Sequence, residues 1–99
     1  MLMKIVSWNC RGKFREKYPL LKELKADIYV VQECENPEKY PEICDGLDMH
    51  YYWCGESNNK GLGVFLNPSI TSVPNDWKSY CLRNFISLRI NDKFNLLGV

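Results

Sequence analysis

Two apolar segments near the start of the chain each run into a polar residue that could bind a metal ion. The first reads KIVSWN and ends at Asn9, and the second reads DIYVVQE and ends at Glu33. If both are parallel strands, their carboxyl ends lie at the same edge of a sheet, where ligands commonly collect. Mg²⁺ takes few protein ligands and completes its shell with water and phosphate oxygens. We therefore predict a catalytic metal site of Glu33 and Asn9 that holds Mg²⁺, with Mn²⁺ as an alternative.

Both residues also have an explanation that involves no chemistry. A Glu that follows a buried strand is commonly a solvated loop residue or part of a helix cap, and an Asn at a strand end commonly forms a turn. The spacing of Asn9 and Glu33 leaves both explanations open.

Basic and amide side chains near these strand ends are candidates for contacts with a substrate phosphate. Arg11, Lys13 and Arg15 directly follow Asn9, where basic groups would add affinity for a phosphate. A solvated charge cluster is the alternative. A weaker set lies in the polar stretch GESNNKG and consists of Asn58, Asn59 and Lys60.

The first third of the chain has the pattern of a βαβ unit. Leucines recur at helical spacing in PLLKELKA, and its first residue, Pro19, is typical of the first turn of a helix. Strand, helix and strand in about thirty residues predict two parallel strands with a right-handed crossover. A brief helix is expected through PEKYPEIC, ending near Asp45 and Gly46.

The rest of the chain has β character. MHYYWC and LGVFLN predict a hairpin with GESNNKG as a wide loop, and Pro68 and Pro74 discourage regular structure in the segment that follows. YCLRNFISLRI and KFNLLGV predict two more strands, joined by a tight turn at Asn91 and Asp92. The fold class is therefore mixed α/β, with a βαβ unit followed by β-hairpins.

Composition limits the classes of protein that this chain can be. Its 99 residues, 45% hydrophobic and 25% charged, suit at most one globular domain, and the net charge of +1 demands no polyanionic partner. The start MLMKIV is too short for a signal peptide or a membrane span, so we expect a cytoplasmic protein. The five cysteines contain no C-x-x-C pair, which favours reduced thiols. His50, the single histidine, is expected to be a strand or surface residue.

KIVSWNCRG followed by ADIYVVQE resembles the opening of the endonuclease/exonuclease/phosphatase superfamily. That family includes apurinic/apyrimidinic endonucleases, deoxyribonuclease I, sphingomyelinases and inositol polyphosphate 5-phosphatases. Its first strand ends in a W/F-N step, here Trp8-Asn9, and its second ends in Q-E, here Gln32-Glu33, where the Glu binds the catalytic Mg²⁺. KGLGVFLN and FNLLGV resemble two later strands of the family, in the right order.

The resemblance implies a two-sheet α/β sandwich and Mg²⁺-dependent hydrolysis of a phosphoester, with nucleic acid among the substrates. Asn9 and Glu33 would be the catalytic and metal residues, and Arg11, Lys13 and Asn59 would contact the substrate. The family's Asp-x-Asn motif and its closing Asp-His motif are missing from this sequence.

The chain stops at Val99, within an apolar strand. We therefore expect residues 1–99 to be the N-terminal portion of one such domain, whose C-terminal part is absent, and to have little activity alone. The alternative is a non-catalytic module that binds a partner or associates with itself through an unpaired strand edge.

Overall fold

The computed structural model describes residues 3–77 and 84–99. Three short helices occur in these residues: α1 (Phe14–Lys17), α2 (Pro19–Leu24) and α3 (Glu42–Leu47). Seven strands occur with them: β1 (Ile5–Asn9), β2 (Ile28–Cys34), β3 (His50–Ser57), β4 (Lys60–Leu66), β5 (Ser72–Pro74), β6 (Ile86–Ile90) and β7 (Phe94–Gly98).

The strands form two sheets. The first has the order β1-β2-β4-β3, and the second has the order β5-β6-β7. β1 and β2 are parallel, in a register that runs from Ile5 opposite Ile28 to Asn9 opposite Gln32, which confirms the predicted βαβ unit. β4 is antiparallel to both of its neighbours, and the second sheet is antiparallel throughout.

The two middle strands of the first sheet, β2 and β4, are buried on both faces. Tyr29, Val31 and Phe65 pack in a core with Phe14 of α1 and other helix residues. Ile28, Val30 and the even-numbered apolar residues of β4 pack on the other face against Ile86, Leu88 and Ile90 of β6. Burial on both faces explains the continuous apolar run in β2. The layers are helices, first sheet and second sheet, which confirms the predicted α/β class with two sheets.

The helices differ from the sequence prediction in two places. α1 was not expected, because Phe14 is its single buried apolar residue and the charges around it hide any helical period. The helix predicted through PEKYPEIC begins later, since residues 37–39 form a turn and α3 runs over Glu42–Leu47. α2 begins at Pro19, as predicted.

Two predictions for the β region are wrong. The hairpin loop is not wide, because β3 continues to Ser57 and β4 starts at Lys60, so the turn contains two residues. The segment with Pro68 and Pro74 is not wholly irregular, since it contains β5. Pro74 is tolerated because it is the last residue of a strand that pairs only with β6 among the described strands.

The remaining predictions concern strands, thiols and membrane spans. β6 and β7 have the expected places, while residues 80–83 of the predicted β6 segment lie outside the described residues, and so does Cys81. The four described cysteines are free. No helix in the described part of the chain is long and apolar enough to cross a membrane.

Candidate metal and phosphate site

Asn9 is the last residue of β1, as predicted, and it is exposed. Its Oδ1 accepts the backbone N–H of Arg11 at 3.0 Å, so the side chain also shapes the turn that follows. The loop then continues along β2, because Cys10 N–H donates to the carbonyl of Gln32 and Gly12 N–H donates to that of Glu33, each at 3.2 Å. These bonds place Asn9 beside the end of β2.

Glu33 occupies a bulge in β2. The strand does not end at Glu33 as the sequence predicted, but continues to Cys34. Val31 lies opposite Gly63 and Cys34 lies opposite Gly61, so two residues of β2 oppose one residue of β4. Glu33 has a φ of 53°, in the left-handed region that residues other than glycine seldom adopt.

The bulge changes the face to which Glu33 belongs. In a regular strand Glu33 would share the helix-covered face with Val31. Val31 and Cys34 both belong to the helix-side core, so the two residues between them share the opposite face. Gln32 lies on that face, because its Nε2 donates to Ser7 Oγ at 3.1 Å, and Glu33 lines a cleft that also contains Asn84, which precedes β6 of the second sheet. The bulge therefore turns Glu33 away from the core, to the face and edge where Asn9 lies.

Lys60 is the cation beside Glu33. Its Nζ lies 3.5 Å from Glu33 Oε1, and the two side chains are 70% and 34% exposed. Exposed ion pairs of this kind contribute little, roughly 0.2–1 kcal/mol. The pair lines an open cleft of about 310 Å³ that also contains Glu56, Ser57 and Asn84. Lys60 therefore neutralises Glu33 without holding its carboxylate tightly.

Glu33 and Asn9 are of the donor types that Mg²⁺ prefers when it keeps most of its water. The described residues contain no group of three or more His, Cys, Asp or Glu arranged around a metal position. Mg²⁺ does not need such a cage, since one or two carboxylates, water and substrate phosphate suffice. Glu33 supplies one accessible carboxylate, and Asn9 Oδ1 has a second lone pair besides the one that accepts from Arg11.

The structure separates the three basic candidates that follow Asn9. Arg11 and Lys13 are exposed, with φ values of 59° and 54°. Arg15 is not available for a phosphate, because its guanidinium pairs with the carboxylate of Glu35 and lies over the ring of Tyr40. Among these residues, Arg11 and Lys13 remain candidates for substrate contact.

Asn59 lies in the β3–β4 turn, beside Lys60. Its Oδ1 accepts the hydroxyl of Tyr40 at 3.2 Å, so the amide is partly committed to holding the turn in place. His50 is exposed at the start of β3, opposite Leu66, whereas the candidate site lies at the other end of that strand. This position confirms that His50 is a surface residue of a strand.

Two thiols pack under the site, on the helix-covered face. Cys10 Sγ donates to the carbonyl of Glu33 at 3.2 Å, and Cys34 Sγ donates to that of Glu35 at 3.3 Å. Burial is the largest cause that raises the pKa of both thiols above the ordinary value of 9.0. Neutral thiols are poor nucleophiles and poor metal ligands, so both are packing residues here.

Sequence reasoning missed Glu35 and gave Gln32 no role of its own. Gln32 links β2 to Ser7, and its place inside a recognisable Q-E step was the available signal. Glu35 is 2% exposed. No local pattern indicated its burial, because its partner Arg15 lies twenty residues earlier in the chain.

The chain is similar to a known protein in its fold. No protein-family model matches the chain, and no curated protein is significantly similar to it in sequence. A solved structure, that of the 3'-5' exonuclease NExo from Neisseria meningitidis, matches with a TM-score of 0.63 and 20% sequence identity. The match covers 98% of this chain and 41% of that one. The chain therefore has a nuclease-like α/β fold and spans less than half the length of that exonuclease.

Proposed function

We propose that this chain forms part of a metal-dependent phosphoester hydrolase of the endonuclease/exonuclease/phosphatase superfamily, with nucleic acid as the substrate class. The observation that carries the proposal is the bulge in β2, which turns the Glu33 carboxylate out of the core to the open edge where Asn9 lies. The exonuclease with the same fold favours a nucleic acid phosphodiester over other phosphoesters.

The residues at this edge have separate roles in the proposed reaction. Glu33 would hold Mg²⁺, and Asn9 would orient the phosphate, a water molecule or the Glu33 carboxylate through its amide. Bound Mg²⁺ would supply stabilisation of negative charge on the phosphate during in-line attack by water. Lys60, once its ion pair with Glu33 is released, and Arg11 and Lys13 in the loop after β1 would attract the phosphate backbone.

The family resemblance assigns generation of the nucleophile to the Asp-x-Asn and Asp-His motifs, which this sequence lacks. His50 does not replace them, because it lies at the far end of β3. We therefore propose that this chain binds metal and phosphate but by itself hydrolyses phosphodiesters little or not at all.

Thermal unfolding with and without Mg²⁺ tests the metal proposal. A ligand that binds only the folded state stabilises it, by about 2.7 kcal/mol at 100 times its Kd. We expect Mg²⁺ to raise the Tm of the wild-type chain and of Glu56→Gln, a control with the same charge change in the same cleft. Glu33→Gln should lose the shift. An equal shift in all three proteins would contradict the proposed site.

Binding of an oligonucleotide tests the substrate class. A fluorescent phosphorothioate oligonucleotide resists cleavage and should show higher anisotropy with this chain only when Mg²⁺ is present. Inositol phosphate should not displace it. Displacement by inositol phosphate, or binding that ignores Mg²⁺, would contradict a nucleic acid site at Glu33.

One observation favours a second candidate, self-association. β7 pairs only with β6 among the described strands, and Leu97 and Val99 are 51% and 50% exposed. An apolar strand edge of this kind can pair with another copy. Sedimentation equilibrium tests it, because a dimer that Leu97→Lys disrupts would support this candidate and a monomer at all concentrations would exclude it.

A further inference from the structure

Glu35 is a carboxylate enclosed within the protein, two residues beyond the candidate metal ligand. Its side chain is 3% exposed. Glu35 and Ser87 are the buried polar residues among those described. A buried carboxylate is costly unless donors compensate it, and removal of one partner is more costly still. The donors that compensate Glu35 therefore indicate what it holds.

Both donors come from α1, in the segment that follows Asn9. The backbone N–H of Arg15 donates to Glu35 Oε1 at 2.9 Å, and the Arg15 guanidinium pairs with Oε2. The same helix holds the start of the loop, because Lys17 Nζ donates to the carbonyl of Cys10 at 2.6 Å. Glu35 thus fastens the loop after β1 to the segment after β2.

The contacts continue from Arg15 to the β3–β4 turn. The guanidinium carbon of Arg15 lies 4.7 Å from the ring centroid of Tyr40, a cation–π distance. The Tyr40 hydroxyl donates to Asn59 Oδ1 at 3.2 Å. Asn36 N–H donates to the carbonyl of Asn58 at 2.8 Å, a second bond between the same segment and the turn. Three segments that border the candidate site are thereby joined.

We propose that Glu35 is a positioning residue that sets the place of both the Asn9 loop and the β3–β4 turn, which carries Lys60, through Arg15 and Tyr40. The site that this clamp positions is the one proposed above, so this part rests on the proposed function. Loops ordered before a ligand arrives do not lose that freedom on binding, which raises affinity. Glu35 touches neither ion nor substrate in this account.

Amide hydrogen exchange tests the clamp without any metal. Glu35→Gln should speed exchange of the Arg15 and Asn36 amides by about tenfold or more, the effect of losing a charge-assisted hydrogen bond. Tyr40→Phe keeps the buried ion pair and should speed exchange at Asn36 by about fivefold, with Arg15 unchanged. Glu38→Gln, an exposed carboxylate in the same segment, is the control and should change neither amide.

The exchange rates decide the proposal. If the Asn36 amide exchanges at the wild-type rate in Glu35→Gln, Glu35 does not position the turn, and the proposal is overturned. An unchanged Asn36 rate in Tyr40→Phe would overturn the link through Tyr40. If Glu35→Gln speeds exchange of the β6 amides, on the second sheet, as much as exchange of the Arg15 and Asn36 amides, the variant has lost stability in general. That result would also overturn the proposal.

A second measurement connects the clamp with the site. Mn²⁺ binding followed by EPR should weaken about tenfold in Glu35→Gln, in the range for substitutions beyond the direct ligands. Ile90→Val, which destabilises the core between the sheets, should leave the Mn²⁺ affinity of the folded protein unchanged. Unchanged affinity in Glu35→Gln would overturn the role at the site. Absence of Mn²⁺ binding by the wild-type chain would refute the proposed function, while the exchange rates would still decide the clamp.

Discussion

The left-handed backbone conformation of Glu33 decides which of two substitutions at this position gives the more stable protein. Replacement of Glu33 by Ala and by Gly removes the same carboxylate, so the two variants differ only in what the backbone tolerates. In a regular strand, Gly is less stable than Ala by about 0.5–1 kcal/mol. At a φ of 53°, a Cβ meets the steric cost of the left-handed region, roughly 1–2 kcal/mol. Glu33→Gly should therefore be more stable than Glu33→Ala by about 1 kcal/mol.

Urea and thermal unfolding of the two variants measure this difference. For a domain of this size, 1 kcal/mol corresponds to a Tm difference of about 4–8 °C. The matched pair Val30→Ala and Val30→Gly, in the regular part of β2, should show the opposite order. If Glu33→Ala is the more stable of its pair, Glu33 has an ordinary strand conformation, and the argument that a bulge turns its carboxylate outward is wrong.

Three further predictions follow from the packing and charges. Lys60→Met should tighten Mg²⁺ binding up to about fivefold at low ionic strength, because it removes a cation that competes for Glu33, and the gain should shrink at about 1 M salt. Titration calorimetry measures the Mg²⁺ affinity, with Lys22→Met as the control. Phe14→Ala should lower the free energy of unfolding by about 3–5 kcal/mol, since Phe14 is fully buried, whereas Leu20→Ala at a 57% exposed position should change it little. Burial raises the pKa of the Cys34 thiol above 9.0, so the contribution of this thiol to stability is complete below pH 9.0 and is lost above it, at about 1.4 kcal/mol per pH unit. When the free energy of unfolding is measured in urea and plotted against pH, the slope above pH 9.0 should therefore be smaller for Cys34→Ala than for the wild-type chain. Equal slopes would contradict a buried neutral thiol.

The elements that the sequence predicts correctly are those with a strong local pattern. β1 and β2 are marked by β-branched and aromatic runs, and α2 is marked by Pro19 and the leucines that follow. β6 alternates the apolar residues Ile86, Leu88 and Ile90, which pack between the sheets, with the polar residues Ser87 and Arg89. The parallel pairing of β1 and β2 follows from the helices between them.

The parts that sequence reasoning missed depend on distant contacts. Glycine within a strand often marks a bulge, but β2 contains no glycine. The glycines that flank the bulge are Gly61 and Gly63 of the neighbouring strand β4. Gly61 itself is needed because a Cβ there would collide with the indole of Trp53. The hairpin loop was predicted too long because β3 is an edge strand of its sheet, where polar residues remain exposed.

The candidate site was predictable as a pair of residues but not as an arrangement. Asn9 and Glu33 could be selected because strand ends meet at one edge in a parallel pair. Their common face depends on the bulge, and the pairing of Arg15 with Glu35 could not be predicted because the two residues are close only in the folded chain.

The most direct test of the central claim is to count the Mn²⁺ ions that bind to this chain by EPR, with Mg²⁺ as competitor. The account predicts that the wild-type chain binds a single Mn²⁺ that Mg²⁺ displaces. It also predicts that Glu33→Gln weakens binding by more than about a hundredfold, beyond the roughly 10–100-fold that substitutions outside the direct ligands cost, while Glu56→Gln has a much smaller effect. No binding to the wild-type chain, or equal binding to both variants, would contradict a metal site at Glu33.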